Sequence, residues 1–204
     1  MLLSIILPMY NVEQYVDRCI RSLENQDIDK DDYEILVIDT MKPLDNTKGV
    51  CEECGARYIN QEEPGFGGAF RTAIKYANKS KFLIMDSDGS HPPKCIPAIH
   101  KMFVEDKCDV VIGSRYVKGG VTNDAKSSQI MSHMLNFAFR ICLGLHANDL
   151  STDYRMYHTK QLKKVKLTCE NYDVLEEVLL RLKLNKRDKK LKIGEVPINF
   201  QKRM

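Results

Sequence analysis

Short apolar runs alternate with amphipathic segments over the first half of the chain. Leu2–Leu7, Tyr33–Ile38 and Phe82–Met85 have the length and composition of buried strands. Between the first two runs, apolar residues recur at helical spacing from Val12 to about Gln26, which predicts an amphipathic helix. Strands that alternate with helical segments of about ten to fifteen residues indicate βαβ units. We therefore predict an α/β fold with a mostly parallel twisted sheet flanked by helices.

The same pattern continues to about residue 118. Further strands are predicted at Ala56–Asn60 and Asp109–Gly113, and further helices at Asn46–Cys54, from Gly65 onward and at Ile96–Val104. No internal repeat or low-complexity linker interrupts the chain, so we predict a single domain over residues 1–204.

The alternation fails beyond Val121. Ser127–Leu145 is apolar around most of its circumference, with His133 and Arg140 as nearly its only ionisable residues. We expect a helix packed on the sheet. The alternative is a helix that faces lipid, because the stripe is broader than one packing face needs. Lys183–Lys192 holds six basic residues against one acid, which indicates a solvated face or, alternatively, attraction to an anionic membrane.

Bulk composition narrows the class of protein only modestly. The net charge of +3 over 204 residues gives no indication of a nucleic-acid partner. The longest apolar stretch, Leu2–Met9, is too short to span a bilayer and lacks a charged leader, so we expect neither a transmembrane helix nor a signal peptide. Seven cysteines without small-scaffold spacing fit reduced thiols and a cytoplasmic location.

An acidic pair stands where the fourth predicted strand becomes a loop. Asp86 and Asp88 follow the apolar run, and Gly89 with the Pro92–Pro93 pair breaks the chain behind them. In an open α/β sheet, ligands bind at the carboxyl ends of the strands. Mg²⁺ usually takes one or two carboxylates and completes its shell with water and substrate phosphate. The alternative is a solvated turn that happens to be acidic.

Other candidates also fall just after predicted strands, and they share this rim with the acidic pair. These candidates are Tyr10, Asp39 and Arg115. Individually, Tyr10 could be a packed aromatic and Asp39 a helix cap. Gly65, Gly67 and Gly68 could cradle a phosphate at a helix N-terminus, but a tight turn before the helix is the favoured explanation.

Three motifs carry a resemblance to a known family. They read MDSDGSHPP at 85–93, GSRYVKGG at 113–120 and EVPINFQKR at 195–203. With them, nearly the whole chain resembles the family-two glycosyltransferases, and within these the dolichyl-phosphate mannose synthase branch. The resemblance implies a GT-A fold with a DXD motif, a nucleotide-sugar-binding half over residues 1–118, and an acceptor side with a C-terminal extension over residues 119–204.

The resemblance also implies an activity and its partners. The expected reaction is metal-dependent, inverting transfer of a sugar, with mannose as the candidate sugar, from a GDP- or UDP-sugar to a polyprenyl or dolichyl phosphate. The expected cofactor is Mg²⁺ or Mn²⁺. A membrane surface or a membrane protein is an expected partner, with the chain peripheral at the cytoplasmic face.

Site residues follow from the resemblance position by position. The nucleoside is expected at Pro8, Tyr10 and Asp39, with Glu13 as a displaced match and Gly67 at the border. The residues expected at the donor diphosphate are Asp86, Ser87 and Asp88, of which Asp86 and Asp88 are the expected metal ligands. The basic residues expected near phosphates are Arg115, Lys126 and Arg203. Asp88 and Arg115 are the expected catalytic residues.

Departures from the family pattern leave alternatives open. Thr40–Lys42 replaces the usual Asp-Gly-Ser after Asp39, which favours another donor or acceptor, or a sugar-nucleotide-binding module without turnover. A phosphate acceptor is already ionised and needs positioning rather than a base. A sugar hydroxyl of a cell-surface polysaccharide would need a base, for which Asp153 is the candidate. A nucleotidyltransferase would share the sheet, but no glycine- and arginine-rich loop follows the first strand.

Overall fold

The structure is a computed structural model, and it describes residues 2–9, 13–24, 29–39, 46–186 and 189–201. Its nine strands within that part of the chain are β1 (Leu3–Pro8), β2 (Tyr33–Asp39), β3 (Arg57–Asn60), β4 (Lys81–Ile84), β5 (Val110–Ser114), β6 (Val121–Thr122), β7 (Arg155–His158), β8 (Ile193–Pro197) and β9 (Asn199–Phe200). The helices are α1 (Glu13–Glu24), α2 (Thr47–Glu53), α3 (Gly65–Tyr76), α4 (Ile96–Glu105), α5 (Lys126–Leu143), α6 (Thr159–Leu162) and α7 (Val174–Asn185).

Seven strands form one sheet in the order β3-β2-β1-β4-β7-β5-β8. All neighbours are parallel except β7, which runs antiparallel between β4 and β5. The mostly parallel sheet predicted from the sequence is therefore confirmed, and β7 and β8 are the strands of this sheet that the pattern did not predict. β6 and β9 form a separate two-stranded parallel pair beside it.

The sheet is covered on both faces, which explains why its strands read as continuous apolar runs. One face packs against α1, α2 and α4 through residues such as Ile20, Cys51 and Phe103. The other packs against α3 and α7, where Phe70 and Leu179 are buried. Burying both faces fixes the strand register, and the register fixes which side chains reach the rim.

Helix α5 does not pack as we expected. Its one fully buried residue is polar: Asn136 accepts a hydrogen bond from the Leu150 N–H at 2.8 Å. The outward side is apolar instead: Ile141 is 65% exposed, and Ile130, Met134 and Phe137 are exposed to a similar extent. We name this stripe the α5 apolar face, consisting of Ile130, Met134, Phe137 and Ile141. The helix does contact the core, through the half-buried Phe139 and Leu143 and through Asn136, but the apolar stripe that we expected to pack on the sheet is exposed.

The basic segment 183–192 is partly structural rather than a free charged surface. The Lys183 ammonium donates to the carbonyl oxygens of Leu143 and Gly144 and so caps α5. Lys186 pairs with Asp109 at 2.6 Å, and Lys192 donates to the Asp106 carbonyl. Arg187 and Asp188 lie outside the described residues. In the described part of the chain, no helix combines the length and the apolar character needed to cross a bilayer.

Candidate active site

The carboxyl ends of the parallel strands bring the predicted residues to one rim. Pro8 ends β1, and its carbonyl accepts a hydrogen bond from the Ser87 hydroxyl at 3.2 Å. Asp39 ends β2 as a buried carboxylate and accepts from the Tyr58 hydroxyl at 3.0 Å. Asp86 follows β4 directly beyond Met85. The sheet register thus places the expected nucleoside and diphosphate residues along one edge.

Asp86 lies in a cluster that the acidic motif alone does not predict. One ligand atom each of Asp86, His91 and Asp153 lies within 4.8 Å of the others. Asp153 reaches this place because β7 runs antiparallel, so the chain just before Arg155 arrives at the same rim. The Ser90 hydroxyl approaches Asp86 Oδ2 at 3.5 Å.

The imidazole of His91 is buried and neutral within this cluster. Its Nδ1 accepts a hydrogen bond from the Asp86 backbone N–H at 2.9 Å, so that nitrogen carries no proton. The ring stacks on Tyr154 at 4.9 Å between centroids. Burial lowers the pKa of His91, although Asp86 and Asp88 act in the other direction. His91 therefore supplies no positive charge to the carboxylates beside it.

The two carboxyl groups of the cluster resist being ionised together. Burial, and then the charge of Asp153, raises the pKa of Asp86. Burial also raises the pKa of Asp153, whose Oδ2 is buried without a hydrogen-bond partner. A hard divalent cation would compensate both charges, and carboxylate oxygens are the ligands that Mg²⁺ and Mn²⁺ prefer. The donor set therefore fits the expected metal.

Asp88 closes the turn that follows Asp86, and its charge acts on both carboxyl groups of the cluster by raising their pKa values. Its Oδ1 accepts a hydrogen bond from the Ser90 N–H at 3.0 Å, which closes the turn through Gly89. The residue also lines a cavity of about 300 Å³ between α1 and Pro92–Lys94. Asp88 thus faces open volume, whereas Asp153 faces Asp86 from inside the fold.

Arg115 is engaged with protein rather than free for a ligand. Nε and Nη2 donate to the two oxygens of Asp149, at 2.8 and 2.9 Å. Nη1 faces Asp124 Oδ2 at 3.4 Å, and the guanidinium lies over the rings of Tyr116 and Phe200. A two-point contact between this guanidinium and a phosphate would require Asp149 to release both N–H groups.

The remaining predicted residues are not gathered at the cluster, or lie outside the described chain. The N–H of Gly67 donates to the Glu170 carbonyl at 2.8 Å, so it serves a loop contact rather than a phosphate. Lys126 is the exposed first residue of α5. Tyr10 and Arg203 lie outside the described residues, as does the side chain of Glu13.

Two residues of the site were missed by the sequence reasoning. His91 lies within the motif at residues 85–93, and a histidine that closely follows two carboxylates could have been predicted to lie at the same site. Asp149 could not be identified from the local sequence, because its partner Arg115 lies 34 positions away and the two meet only in the folded protein. Asp153 was considered as a base, but its proximity to Asp86 depends on the unpredicted strand β7.

Comparison with known proteins gives consistent matches. Among curated proteins, the dolichol-phosphate mannosyltransferase of Pyrococcus furiosus is 28% identical over 98% of this chain, which spans 56% of that protein's length. The dolichyl-phosphate hexose transferase of Haloferax volcanii is 26% identical over 98% of this chain and 83% of that protein.

Among solved structures, glucosyl-3-phosphoglycerate synthase from Mycobacterium tuberculosis, in complex with Mn²⁺, UDP and glucosyl-3-phosphoglycerate, superposes with a TM-score of 0.73 at 19% identity. That match covers all of this chain and 71% of the other. The likeness shows a shared GT-A fold. The family model described as "Glycosyl transferase family 2" matches residues 4–166, well over half of the sequence. The chain therefore belongs to glycosyl transferase family 2.

Proposed function

We propose that the protein is a metal-dependent inverting glycosyltransferase that moves a sugar from a nucleotide-sugar to a polyprenyl or dolichyl phosphate at a membrane surface. The donor would be a GDP- or UDP-sugar, and mannose is the first sugar to test. Residues 1–118 would bind the donor, with Pro8 and Asp39 at the nucleoside, and residues 119–204 would form the acceptor side.

The carboxylate cluster at the rim supports sugar transfer. In the reaction, an acceptor oxygen bonds to the anomeric carbon as the bond from that carbon to the donor diphosphate breaks, and the nucleoside diphosphate leaves. A divalent ion, when bound, would neutralise the charge that develops on the leaving diphosphate. Asp86 and Asp88 would hold this centre at the end of β4, and Ser87 would fix the loop to β1.

A phosphate acceptor suits the chemistry of the site. A phosphate monoester is ionised near neutral pH and needs no proton removed before it attacks. Positioning and exclusion of water then become the main tasks of the protein. The buried Arg115–Asp149 pair lies close to the carboxylate cluster, because the ring of Phe200 contacts both the Arg115 guanidinium and the imidazole of His91.

The α5 apolar face is the single observation on which the assignment of a lipid acceptor rests. It is an outward stripe on a helix without an acidic residue, and the stretch just before that helix touches the site through Asp124 and Arg115. The Gln129 amide donates to the Asp124 carbonyl at 2.8 Å and so ties the first turns of α5 to the same point. A helix with one apolar side lies naturally in a bilayer interface. We therefore propose that α5 holds the protein at the membrane, on the cytoplasmic face, where a lipid-linked phosphate is available.

The test is a transfer assay with labelled donors. The protein is incubated with GDP-mannose, other GDP-sugars or UDP-sugars, with Mg²⁺ or Mn²⁺, and with polyprenyl phosphate in vesicles. We expect label in the lipid extract only when metal and lipid phosphate are both present. Absence of a lipid-linked sugar from every common donor would overturn the acceptor assignment.

The same assay separates the alternatives. Label on an added polysaccharide would indicate transfer to a sugar hydroxyl. Metal-dependent nucleotide binding without any transfer would indicate a binding module, and calorimetry with nucleoside diphosphates detects it.

A further inference from the structure

Asp153 is a buried carboxylate beside Asp86, at the expected metal position, and one of its two oxygens has no hydrogen-bond partner. Its side chain is 8% exposed, and its Oδ2 has no hydrogen-bond partner. Its Oδ1 lies 3.7 Å from His91 Nδ1, which already accepts a bond from the Asp86 N–H. A buried polar atom without a partner is costly, so its presence at a ligand-binding rim requires a reason.

Positively charged side chains do not supply a hydrogen bond to this oxygen, although the charge of Arg155 acts to lower the pKa of Asp153. Arg155, fully buried two residues later, donates to the carbonyl oxygens of Thr152, Leu150 and Leu175. Arg115 is paired with Asp149. In the part of the chain that the structure describes, both buried guanidinium groups at this rim are thus engaged elsewhere.

The neighbouring imidazole does not supply it either. Because His91 Nδ1 is an acceptor, the ring cannot donate from that nitrogen to either carboxylate, and the same lone pair is not free for a metal. Its Nε2 lies on the far side of the ring, 3.5 Å from the Thr152 hydroxyl. The cluster therefore offers two carboxylates as ligands and one histidine that fixes the backbone between them.

We propose that Asp153 is a direct ligand of the divalent cation together with Asp86. This adds a ligand from the segment just before β7 to the Asp86–Asp88 pair expected from the sequence. The inference rests on the metal of the proposed function. The cation would be hard and oxygen-seeking, of the Mg²⁺ or Mn²⁺ class, because all the available donor atoms are carboxylate oxygens. Asp153 would then be occupied by the metal and unavailable as a general base.

The test is Mn²⁺ binding without nucleotide, followed by the electron paramagnetic resonance signal of free Mn²⁺. We expect Asp153→Asn to weaken binding by about tenfold or more, since even groups that only orient a ligand change metal affinity by about 10–100-fold. Asp106→Asn is the matched control, because it removes an exposed carboxylate before β5, at the opposite end of the sheet. It should bind Mn²⁺ as the wild type does.

A double-mutant cycle keeps the inference falsifiable if one variant is altered in stability. If Asp86 and Asp153 hold one ion, Asp86→Asn combined with Asp153→Asn should lose less affinity than the sum of the single losses. Additive losses would overturn a shared ion. Thermal unfolding with and without Mn²⁺ provides a second readout, and the rise in melting temperature caused by Mn²⁺ should shrink in Asp153→Asn.

The outcomes also separate this inference from the proposed function. Wild-type affinity for Mn²⁺ in Asp153→Asn, with transfer abolished, would make Asp153 a base and overturn the inference. Absence of Mn²⁺ binding by the wild-type protein would overturn it as well. If the wild-type protein transfers no sugar to lipid, but Asp153→Asn binds Mn²⁺ more weakly than the wild type, the inference stands and the proposed acceptor is excluded.

Discussion

The guanidinium of Arg115 and the carboxylate of Asp149 form a two-point ion pair, with Nε and Nη2 donating to the two carboxylate oxygens. Asp149 is fully buried and also accepts the backbone N–H of Arg115 at 2.9 Å. Its own N–H donates to Glu195 on β8. The pair therefore fixes the loop after β5 to the loop before β7, next to the candidate metal site. Its planar geometry is one that lysine cannot reproduce.

Removing one partner of this pair should destabilise the fold. We expect Asp149→Asn to lower the free energy of unfolding by about 3–5 kcal/mol, because it leaves the buried Arg115 charge uncompensated. Urea denaturation measures the loss. Asp124→Asn is the control, since Asp124 meets Arg115 only at 3.4 Å and is partly exposed, and it should cost less than about 1 kcal/mol. Equal losses in the two variants would contradict this account.

Asp88→Asn should separate activity from stability. The asparagine Oδ1 can still accept the Ser90 N–H, so the turn and the melting temperature should be retained. Loss of charge stabilisation in the transition state should lower kcat by about two to three orders of magnitude. Initial rates at saturating Mn²⁺ test this, with Asp106→Asn as the control. A rate near that of the wild type would show that the loop is only structural.

The α5 apolar face should govern membrane binding without contributing to stability. We expect Phe137→Glu combined with Ile141→Glu to reduce sedimentation with anionic vesicles by about tenfold or more, since burying one such side chain is worth about 1.5–3 kcal/mol. The unfolding free energy should be nearly unchanged, because both side chains are exposed. Ser128→Glu adds a charge to the same helix outside this face and is the control. Unaltered sedimentation of the double variant would exclude the face as the membrane contact.

Glu177 should make stability depend on pH in the acid range. Burial acts to raise its pKa, but hydrogen bonds from the Cys169 and Thr168 N–H groups outweigh burial and hold the pKa at about 2. A lowered pKa in the folded state means that the stabilisation is present above the unfolded value of about 4.3 and is lost as the pH falls toward the folded value.

We therefore expect Glu177→Gln to destabilise the protein by about 1.5–3 kcal/mol at neutral pH, the contribution of hydrogen bonds to a charged group. Its unfolding free energy should also vary less with pH below the unfolded pKa. Chemical denaturation across that range is the measurement. Glu170→Gln changes an exposed carboxylate in the same loop and should keep the wild-type profile. A wild-type profile in Glu177→Gln would refute the assignment.

Local patterns predicted the elements whose signal is contained in a short segment. The strands ending at Pro8, Asp39 and Ser114 and the helices α1, α3 and α4 were found within a few residues, because apolar periodicity reports burial directly. Strand β7 was not found, since a short strand between distant partners has no periodicity of its own. The pattern also could not indicate that α5 buries Asn136 and exposes Ile141, because periodicity identifies a stripe but not what covers it.

The residues of the candidate site also fall into those that local sequence predicts and those that only the fold brings together. Asp86 and Asp88 were predictable because a strand, two carboxylates and a glycine follow one another in the chain. The partners of these residues were not, because Asp153 meets Asp86 and Asp149 meets Arg115 only after the sheet has formed. Long-range pairing, rather than residue chemistry, is what the sequence alone left undetermined.

The insertion of β7 between β4 and β5 has a consequence for folding. Asp153 can reach Asp86 only when the antiparallel strand has paired in register with neighbours far away in sequence, and a slip of one residue would turn its side chains to the opposite face. A metal held by both carboxylates would bind the completed sheet and not a partly assembled one, and so would stabilise this non-local pairing. Metal affinity in this protein would then report on correct strand assembly as well as on readiness for catalysis.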